Sequence, residues 1–284
     1  MPNYVPYLVL CLIHIPMLIT VAVRKRQYSV IVVSLGFSGI VYVVEYVILV
    51  LLGSYSYYPG LLPDRFQDSV LGAVVSNLIA IPVTATVIAV NQLSNKWIMG
   101  AVLLFACTEW LFVKLGVYEL HWWRIPYTSI CLVVFFSFGR LWYKGLMRRN
   151  RWCRFVTLHM QTWSMVATIM FLFNISGIRL FHLGLVEEVH RDDIMLASIF
   201  GFAVSLLIAA AILFTKHILW KLGALLLIVA LNAIMAHFGY LDIKISNWLY
   251  YAIYIPSMAL CMWLCEVAQR SLQRIARAGS SVPQ

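Results

Sequence analysis

The chain has few charged residues. Only 11% of its 284 residues are Asp, Glu, Lys or Arg, whereas 63% are hydrophobic, and the mean hydropathy is +0.88. A soluble domain carries about 25% charged residues, so this chain cannot cover a water-facing surface. Its apolar runs are long and continuous instead of short and alternating, which excludes a transmembrane β-barrel. The composition predicts a polytopic helical membrane protein.

Motifs for metal, disulfide or soluble catalytic chemistry are missing. The six cysteines include no CxxC pair and no Cys/His spacing suited to zinc, so we interpret them as reduced packing residues. No phosphate-binding glycine loop, GxSxG, HExxH or dinucleotide fingerprint occurs. We therefore expect no metal and no cofactor. Lone histidines such as His14, His159 and His237 are typical packing residues, although a haem or metal role for them stays open.

Nine membrane spans follow from the apolar runs. Each is about 20 residues long, the length that a hydrocarbon layer of about 30 Å requires. The predicted spans are residues 4–23, 28–52, 69–91, 97–117, 126–143, 155–177, 194–214, 218–238 and 247–268. The longest connections between them, 53–68 and 178–193, are too short to hold a separate domain.

Charge divides the loops into two sets. One set is basic and holds no acid; its members are Arg24, Lys25, Arg26, Lys96, Lys144, Arg148, Arg149, Arg151, Arg154, Lys216, Lys221, Arg270, Arg274 and Arg277. The other set holds the loop acids Asp64, Asp68, Glu119, Glu187, Glu188, Asp192, Asp193 and Asp242. Short basic loops stay in the cytoplasm, which predicts a cell-membrane protein with its N-terminus outside and its C-terminus inside.

The net charge of +10 is thus a topology signal and does not indicate a nucleic-acid partner. Its basic residues lie in short loops next to the bilayer. Clusters of that kind attract anionic lipid headgroups. We expect such lipid contacts at Arg148, Arg149, Arg151 and Arg154.

An internal similarity divides the chain into repeated parts. Residues 45–119 align with residues 174–242, at an offset of 129 positions in the first part and 123 in the second. The alignment predicts two four-span repeats, 28–154 and 155–284, after an N-terminal span in residues 1–27. Because four is an even number, both copies cross the bilayer in the same sense. We expect parallel repeats, related by an axis near the membrane normal.

Three polar residues are predicted to share one layer in the first repeat. Glu45, Asn77 and Glu109 each lie about two turns from the outer end of their spans. An intramembrane acid is a functional candidate by default, and two carboxylates with an amide can bind a cation or share one proton. The alternative is that each acid only joins helices through hydrogen bonds. Asn174 and Asn232, aligned with Glu45 and Glu109, are interpreted as such interhelical residues.

The fourth span and the hairpin after it carry a resemblance. Residues 109–128 read EWLFVKLGVYELHWWRIPYT, and the fifth span ends in GRLWY at 139–143. This acid-containing span, aromatic hairpin and basic-aromatic ending resemble a family of uncharacterised five-span membrane proteins from endospore-forming bacteria. The resemblance covers residues 1–150 or so. It implies a bacterial membrane protein, and the family has no assigned activity.

The sequence favours a small transporter or permease-like protein for a small ion or small molecule, with its polar layer at Glu45, Asn77 and Glu109. A non-transporting accessory, receptor or structural membrane subunit is the alternative, and the family resemblance would link it to the spore envelope. An enzyme is not expected, because no nucleophile–base pair or metal cluster is visible.

Overall fold

Nine long helices dominate the structure, a computed structural model that describes residues 1–215 and 217–278. Within this part of the chain, all nine are long and apolar enough to cross a bilayer, as predicted for a multi-pass, helical membrane protein. They are α1 (Val5–Lys25), α2 (Ser29–Leu51), α3 (Arg65–Val90), α4 (Asn95–Lys114), α5 (Ile125–Met147), α6 (Arg151–Ile175), α7 (Val189–Phe214), α8 (Ile218–His237) and α9 (Asn247–Ala278). Lys216 and residues 279–284 of the second predicted repeat lie outside the described residues.

Five helices begin earlier than the predicted spans: α3, α6 and α7 by four or five residues, and α4 and α5 by one or two. The α3 helix starts at Arg65 and α7 at Val189, where the expected starts were residues 69 and 194. In α3, the Asp64 carboxylate caps the helix by accepting the Gln67 N–H at 2.8 Å, a preferred arrangement at a helix N-terminus. These first turns are polar, so the hydropathy of the sequence does not reveal them.

The described residues agree with the expected all-α membrane class and add only four strands of three residues each. Strand β1 (Tyr55–Tyr57) pairs antiparallel with β2 (Tyr118–Leu120), and β3 (Arg179–Phe181) pairs antiparallel with β4 (Leu241–Ile243). Three residues are too few to give a detectable alternation in sequence. Both sheets join loops at one end of the bundle, which we name the hairpin end. The basic loops lie at the opposite end, named the basic end.

Two aspartates hold the loops before α3 and α7 by the same pattern of hydrogen bonds. The Asp68 carboxylate accepts the backbone N–H groups of residues 60–62 at 2.8–3.0 Å. The Asp192 carboxylate accepts those of residues 183–185 at 2.7–3.0 Å. Each aspartate thus ties the loop before its helix to that helix.

The strands and loop aspartates of the two predicted repeats are related by a different offset from the one in the sequence alignment. Asp192 follows Asp68 by 124 positions, and β3 follows β1 by the same 124. Strand β4 follows β2 by 123 positions, in agreement with the second predicted offset. The offset of 129 in the first part is not supported. The parallel-repeat arrangement itself stays a prediction.

The corrected offset separates Asn174 from Glu45. The α2 and α6 helices are each followed by a glycine with positive φ, Gly53 at 55° and Gly177 at 64°. Glu45 lies eight positions before its glycine, whereas Asn174 lies only three before its own. The two side chains therefore occupy different turns of their helices and do not correspond.

Wide π turns interrupt α2 and α3. They cover Tyr46–Leu51 and Val75–Ala80. The second ends just before Pro82, which has no N–H to donate to the helix. Glu45 directly precedes the first π turn, and Asn77 lies inside the second. Such turns occur mostly as single insertions in α-helices and are frequent at functional sites.

One core extends across the predicted repeat boundary at residue 154. The α6 helix packs most extensively against α2 and α7. Phe37 of α2, Leu158 of α6 and Ile208 of α7 are fully buried within that core. Residues from both predicted repeats therefore pack into the same hydrophobic interior.

Candidate functional site

Glu45, Asn77 and Glu109 line one cavity of about 470 Å³. The cavity lies among α1 to α5, and strands β1 and β2 close it at the hairpin end. Most of its wall is apolar, and no Lys, Arg or His among the described residues lines it. The α3 helix starts at Arg65, earlier than predicted. Asn77 therefore lies about three turns from the start of its helix, whereas two turns were expected. The three predicted residues nevertheless face the same space.

Glu45 has one oxygen in a hydrogen bond and one without. The Tyr55 hydroxyl donates to Glu45 Oε2 at 2.7 Å. Asn77 lies beside the same carboxyl group without forming a hydrogen bond of good geometry. Glu45 Oε1 is buried and has no hydrogen-bond partner within the described part of the chain. Tyr55 on β1 thus orients the carboxyl group, and the other oxygen has no partner.

Glu109 is held in a similar way from α5. The Thr128 hydroxyl donates to Glu109 Oε1 at 3.2 Å, and Trp123 Nε1 donates to the same Thr128 oxygen at 2.8 Å. Glu109 Oε2 is buried without a partner among the described residues. No hydrogen bond between described atoms joins Glu109 to Glu45. Each acid therefore lines the shared cavity and has one buried carboxyl oxygen without a hydrogen-bond partner among the described residues.

Aromatic rings form the wall at the hairpin end. The Tyr57 and Tyr118 rings lie 4.6 Å apart between centroids, Tyr55 and Tyr118 lie 5.3 Å apart, and Tyr55 and Trp123 lie 6.0 Å apart. The Tyr7 ring of α1 packs edge-on against Tyr57 at 6.3 Å. These rings come from four separate segments, so sequence proximity does not predict the cluster.

Both acids lie close to this aromatic wall. Burial holds the pKa of Tyr57 well above its usual range, and the nearby carboxyl groups of Glu45 and Glu109 raise it further. Burial, the Tyr57 hydroxyl and the same two acids raise the pKa of Tyr118. Both hydroxyls therefore stay protonated and able to donate hydrogen bonds at neutral pH.

The cavity opens sideways between α2 and α5. Val44, Ile130 and Val134 line it and are also 46%, 64% and 63% exposed on the surface of the bundle. Nearer the basic end the two helices meet, with the Phe37 and Phe135 rings 5.8 Å apart. Since a helix surface exposed within a membrane span faces lipid, the opening is directed towards the bilayer.

A smaller cavity of about 90 Å³ lies on the other side of Glu45 and Asn77. It is bordered by α2, α3, α6 and α7, and Trp163 and Asp193 contribute to its wall. Glu45 and Asn77 line both cavities. They therefore form part of the partition between the larger cavity and the helices of the second predicted repeat.

A buried polar cluster at the start of α7 was not predicted. Arg179 and Asp193 are fully buried and form an ion pair. Asn174 Nδ2 donates to Asp193 Oδ2 at 2.6 Å, and Gln67 Nε2 donates to Asn174 Oδ1 at 2.8 Å. Asp193 is therefore not the loop acid that the charge pattern suggested. The signal in the sequence was Arg179, one of two arginines in the acidic 178–193 loop.

Asn232 joins helices α8 and α9 near the sheet formed by β3 and β4. Its Nδ2 donates to the Tyr250 hydroxyl on α9 at 3.1 Å, and the side chain is fully buried. Glu109, from which it is separated by 123 positions, likewise bonds to the helix that follows, through Thr128. Asn174 and Asn232 both form interhelical hydrogen bonds, and neither lines the larger cavity.

No cluster of three or more His, Cys, Asp or Glu in the described ranges is placed to hold a metal ion. His14 Nδ1 lies 2.8 Å from the Leu10 carbonyl oxygen, and His159 packs against Phe202 at 4.6 Å between ring centroids. The six cysteines are free thiols.

Comparison with protein-family models, curated proteins and solved structures found no match to this chain. The resemblance to the five-span family of endospore-forming bacteria therefore stays a prediction. Contacts of anionic lipids with Arg148, Arg149, Arg151 and Arg154 also stay a prediction; the first three of these side chains are exposed at the basic end.

Proposed function

We propose that the chain is a transporter or permease-like membrane protein that binds a small ion or small molecule between Glu45, Asn77 and Glu109. The observation that carries the proposal is that Glu45 and Glu109, which both line a cavity of about 470 Å³, each have one buried carboxyl oxygen without a partner among the described residues. An unpaired carboxylate in apolar surroundings costs several kcal/mol. A proton or a ligand at each free oxygen removes that cost. Cavities of about 300–1,000 Å³ are typical of small-molecule sites.

The path from this cavity to the basic end is filled by side chains. Phe37, Ala85, Ile88 and Phe136 lie on the same helices about two turns further on, and all are buried. A transporter has to open this packing in a second conformation, because alternating access requires both sides to reach the site. The π turns of α2 and α3, one next to Glu45 and one containing Asn77, are positions where helices can change register.

The same packing favours a second candidate. A receptor or accessory subunit binds a ligand without moving it, so a cavity that opens towards lipid and ends at a packed core is sufficient. The two candidates share the site and differ only in whether the Phe37 and Phe136 region opens.

Charge movement in reconstituted vesicles tests the proposal. Solid-supported-membrane electrophysiology would record currents after jumps in pH, Na⁺, K⁺ or small organic amines, with protein-free vesicles as the blank. We expect currents from the wild type that Glu45→Gln and Glu109→Gln abolish. Glu119→Gln is the matched control, because Glu119 is exposed on β2, bonds to the Tyr58 hydroxyl and lies outside the cavity.

Two outcomes contradict transport. One is the absence of any wild-type current above the blank for every solute tested. The other is a current that both cavity variants retain, since the acids would then have no part in it. Ligand binding without a current would favour the receptor or accessory candidate.

A further inference from the structure

We propose that the larger cavity binds an organic ammonium, a monovalent cation with an apolar body, through the carboxyl groups of Glu45 and Glu109. The inference rests on the same site as the proposed function and names its ligand class. It requires binding but not transport.

The charge of the lining selects a cation. The cavity contains two carboxyl groups and no basic side chain among the described residues. An anion would contact only carboxyl groups or apolar side chains. A neutral molecule without hydrogen-bond donors would leave Glu45 Oε1 and Glu109 Oε2 without a partner. One ammonium and one proton together neutralise the pair.

The apolar and aromatic lining favours an organic cation over an inorganic ion. A metal cation such as Ca²⁺ takes six to eight oxygen ligands, and the described residues form no acidic cluster of that kind. The faces of Tyr, Trp and Phe rings attract ammonium groups, most strongly where water is excluded. Tyr55, Tyr57, Tyr118 and Trp123 supply such rings beside the two acids.

The lateral opening suits a ligand with an apolar body. Val44, Ile130 and Val134 line the gap between α2 and α5 and are exposed on the bundle surface. An amphipathic amine already resides at the membrane interface with its apolar part in the hydrocarbon. It can reach the cavity from the bilayer without crossing the hairpin end.

Three probes of similar shape separate the alternatives. They are benzyltrimethylammonium, its uncharged carbon analogue neopentylbenzene, and the anion benzenesulfonate. Binding to the full chain in nanodiscs would be measured by titration calorimetry, with empty nanodiscs subtracted. We expect saturable binding of the ammonium alone. Glu45→Gln and Glu109→Gln should each raise its Kd about tenfold or more, as expected when a hydrogen-bonding or ionic partner is removed. Glu119→Gln should leave the Kd within about twofold, because an exposed charge is screened by salt.

A second measurement needs no substitution and so does not depend on the variants folding. Cys131 lines the cavity, whereas Cys107 on α4 is similarly exposed but lies outside it. Bound benzyltrimethylammonium should slow the alkylation of Cys131 by N-ethylmaleimide and leave that of Cys107 unchanged, with both read by mass spectrometry.

The ammonium inference is overturned if neopentylbenzene or benzenesulfonate binds as tightly as the cation, if both Gln variants retain the wild-type Kd, or if saturating cation leaves Cys131 unprotected. If the cation binds as expected but no current is found in vesicles, the inference stands and the transport proposal fails. Flux of another solute without ammonium binding would overturn the inference alone.

Discussion

Arg179 and Asp193 form the most deeply buried of the four ion pairs found among the described residues. The guanidinium also donates to the Met170 carbonyl at 2.9 Å and lies 4.4 Å from the Phe181 ring centroid. The Asp193 carboxylate accepts the Phe181 N–H at 2.5 Å. This pair connects strand β3 to α6 and α7, so each charge depends on the other for its compensation.

Breaking the pair on one side should destabilise the fold strongly. Arg179→Leu leaves the Asp193 carboxylate buried and uncompensated, which costs about 3–5 kcal/mol. Lys244→Leu is the control, because Lys244 forms an ion pair with Asp242 in which both side chains are nearly half-exposed. Exposed ion pairs contribute about 0–1 kcal/mol to the free energy of unfolding. Unfolding in detergent, followed by intrinsic fluorescence, measures both. Equal stability of the two variants would show that the buried pair has no structural role.

The crossing of α2 and α6 depends on glycine. A Cβ atom built on Gly39 would overlap the backbone carbonyl of Met160, and one on Gly36 would lie 3.0 Å from Thr157 Cγ2. Small residues allow helix backbones to approach closely inside membranes, where packing replaces the hydrophobic driving force. The contact lies beside Phe37, at the floor of the larger cavity.

Gly39→Ala should separate these two helices. Because the obstacle is a backbone carbonyl, no side-chain rotation can relieve it, and we expect a loss of about 1–3 kcal/mol or more. Gly100→Ala and Gly223→Ala are matched controls, since beyond the local helix backbone no heavy atom of the described residues lies within 4 Å of either Cβ position. Alanine there should be neutral or stabilising by up to about 1 kcal/mol. Thermal unfolding of the three variants measures the difference in stability. A Gly39→Ala protein as stable as the controls would contradict the close crossing of α2 and α6.

At the scale of the whole molecule, the start of α1 lies at the hairpin end. The Tyr7 hydroxyl donates to the Val117 carbonyl at 2.5 Å and accepts the Tyr58 N–H at 3.3 Å. The N-terminus and both hairpins are therefore at the same end, opposite the basic loops. If short basic loops remain in the cytoplasm, this end faces outwards.

Cysteine labelling in intact cells tests that orientation. A cysteine at Glu187, in the loop before α7, should react with an impermeant maleimide applied from outside. A cysteine at Arg148, after α5, should react only once the membrane is permeabilised. The unsubstituted chain is the control for its six native thiols. The reverse pattern would place the N-terminus in the cytoplasm.

The sequence by itself determined the nine long helices found among the described residues, the separation of charge between the two ends, and the choice of Glu45, Asn77 and Glu109 as candidates. Each of these follows from local properties. A run of about 20 apolar residues satisfies its backbone hydrogen bonds as a helix wherever it packs, and an acid within such a run is unfavourable whatever its neighbours.

Only the tertiary structure decided how these acids are satisfied. Tyr55 and Thr128 each occupy one oxygen and leave the other free, and both come from elements that lie elsewhere in the chain. The two small sheets, the Arg179–Asp193 pair and the cavity depend in the same way on contacts between separate elements. Hydropathy sums over neighbouring positions and contains no term for such contacts, which is why the sequence did not reveal them.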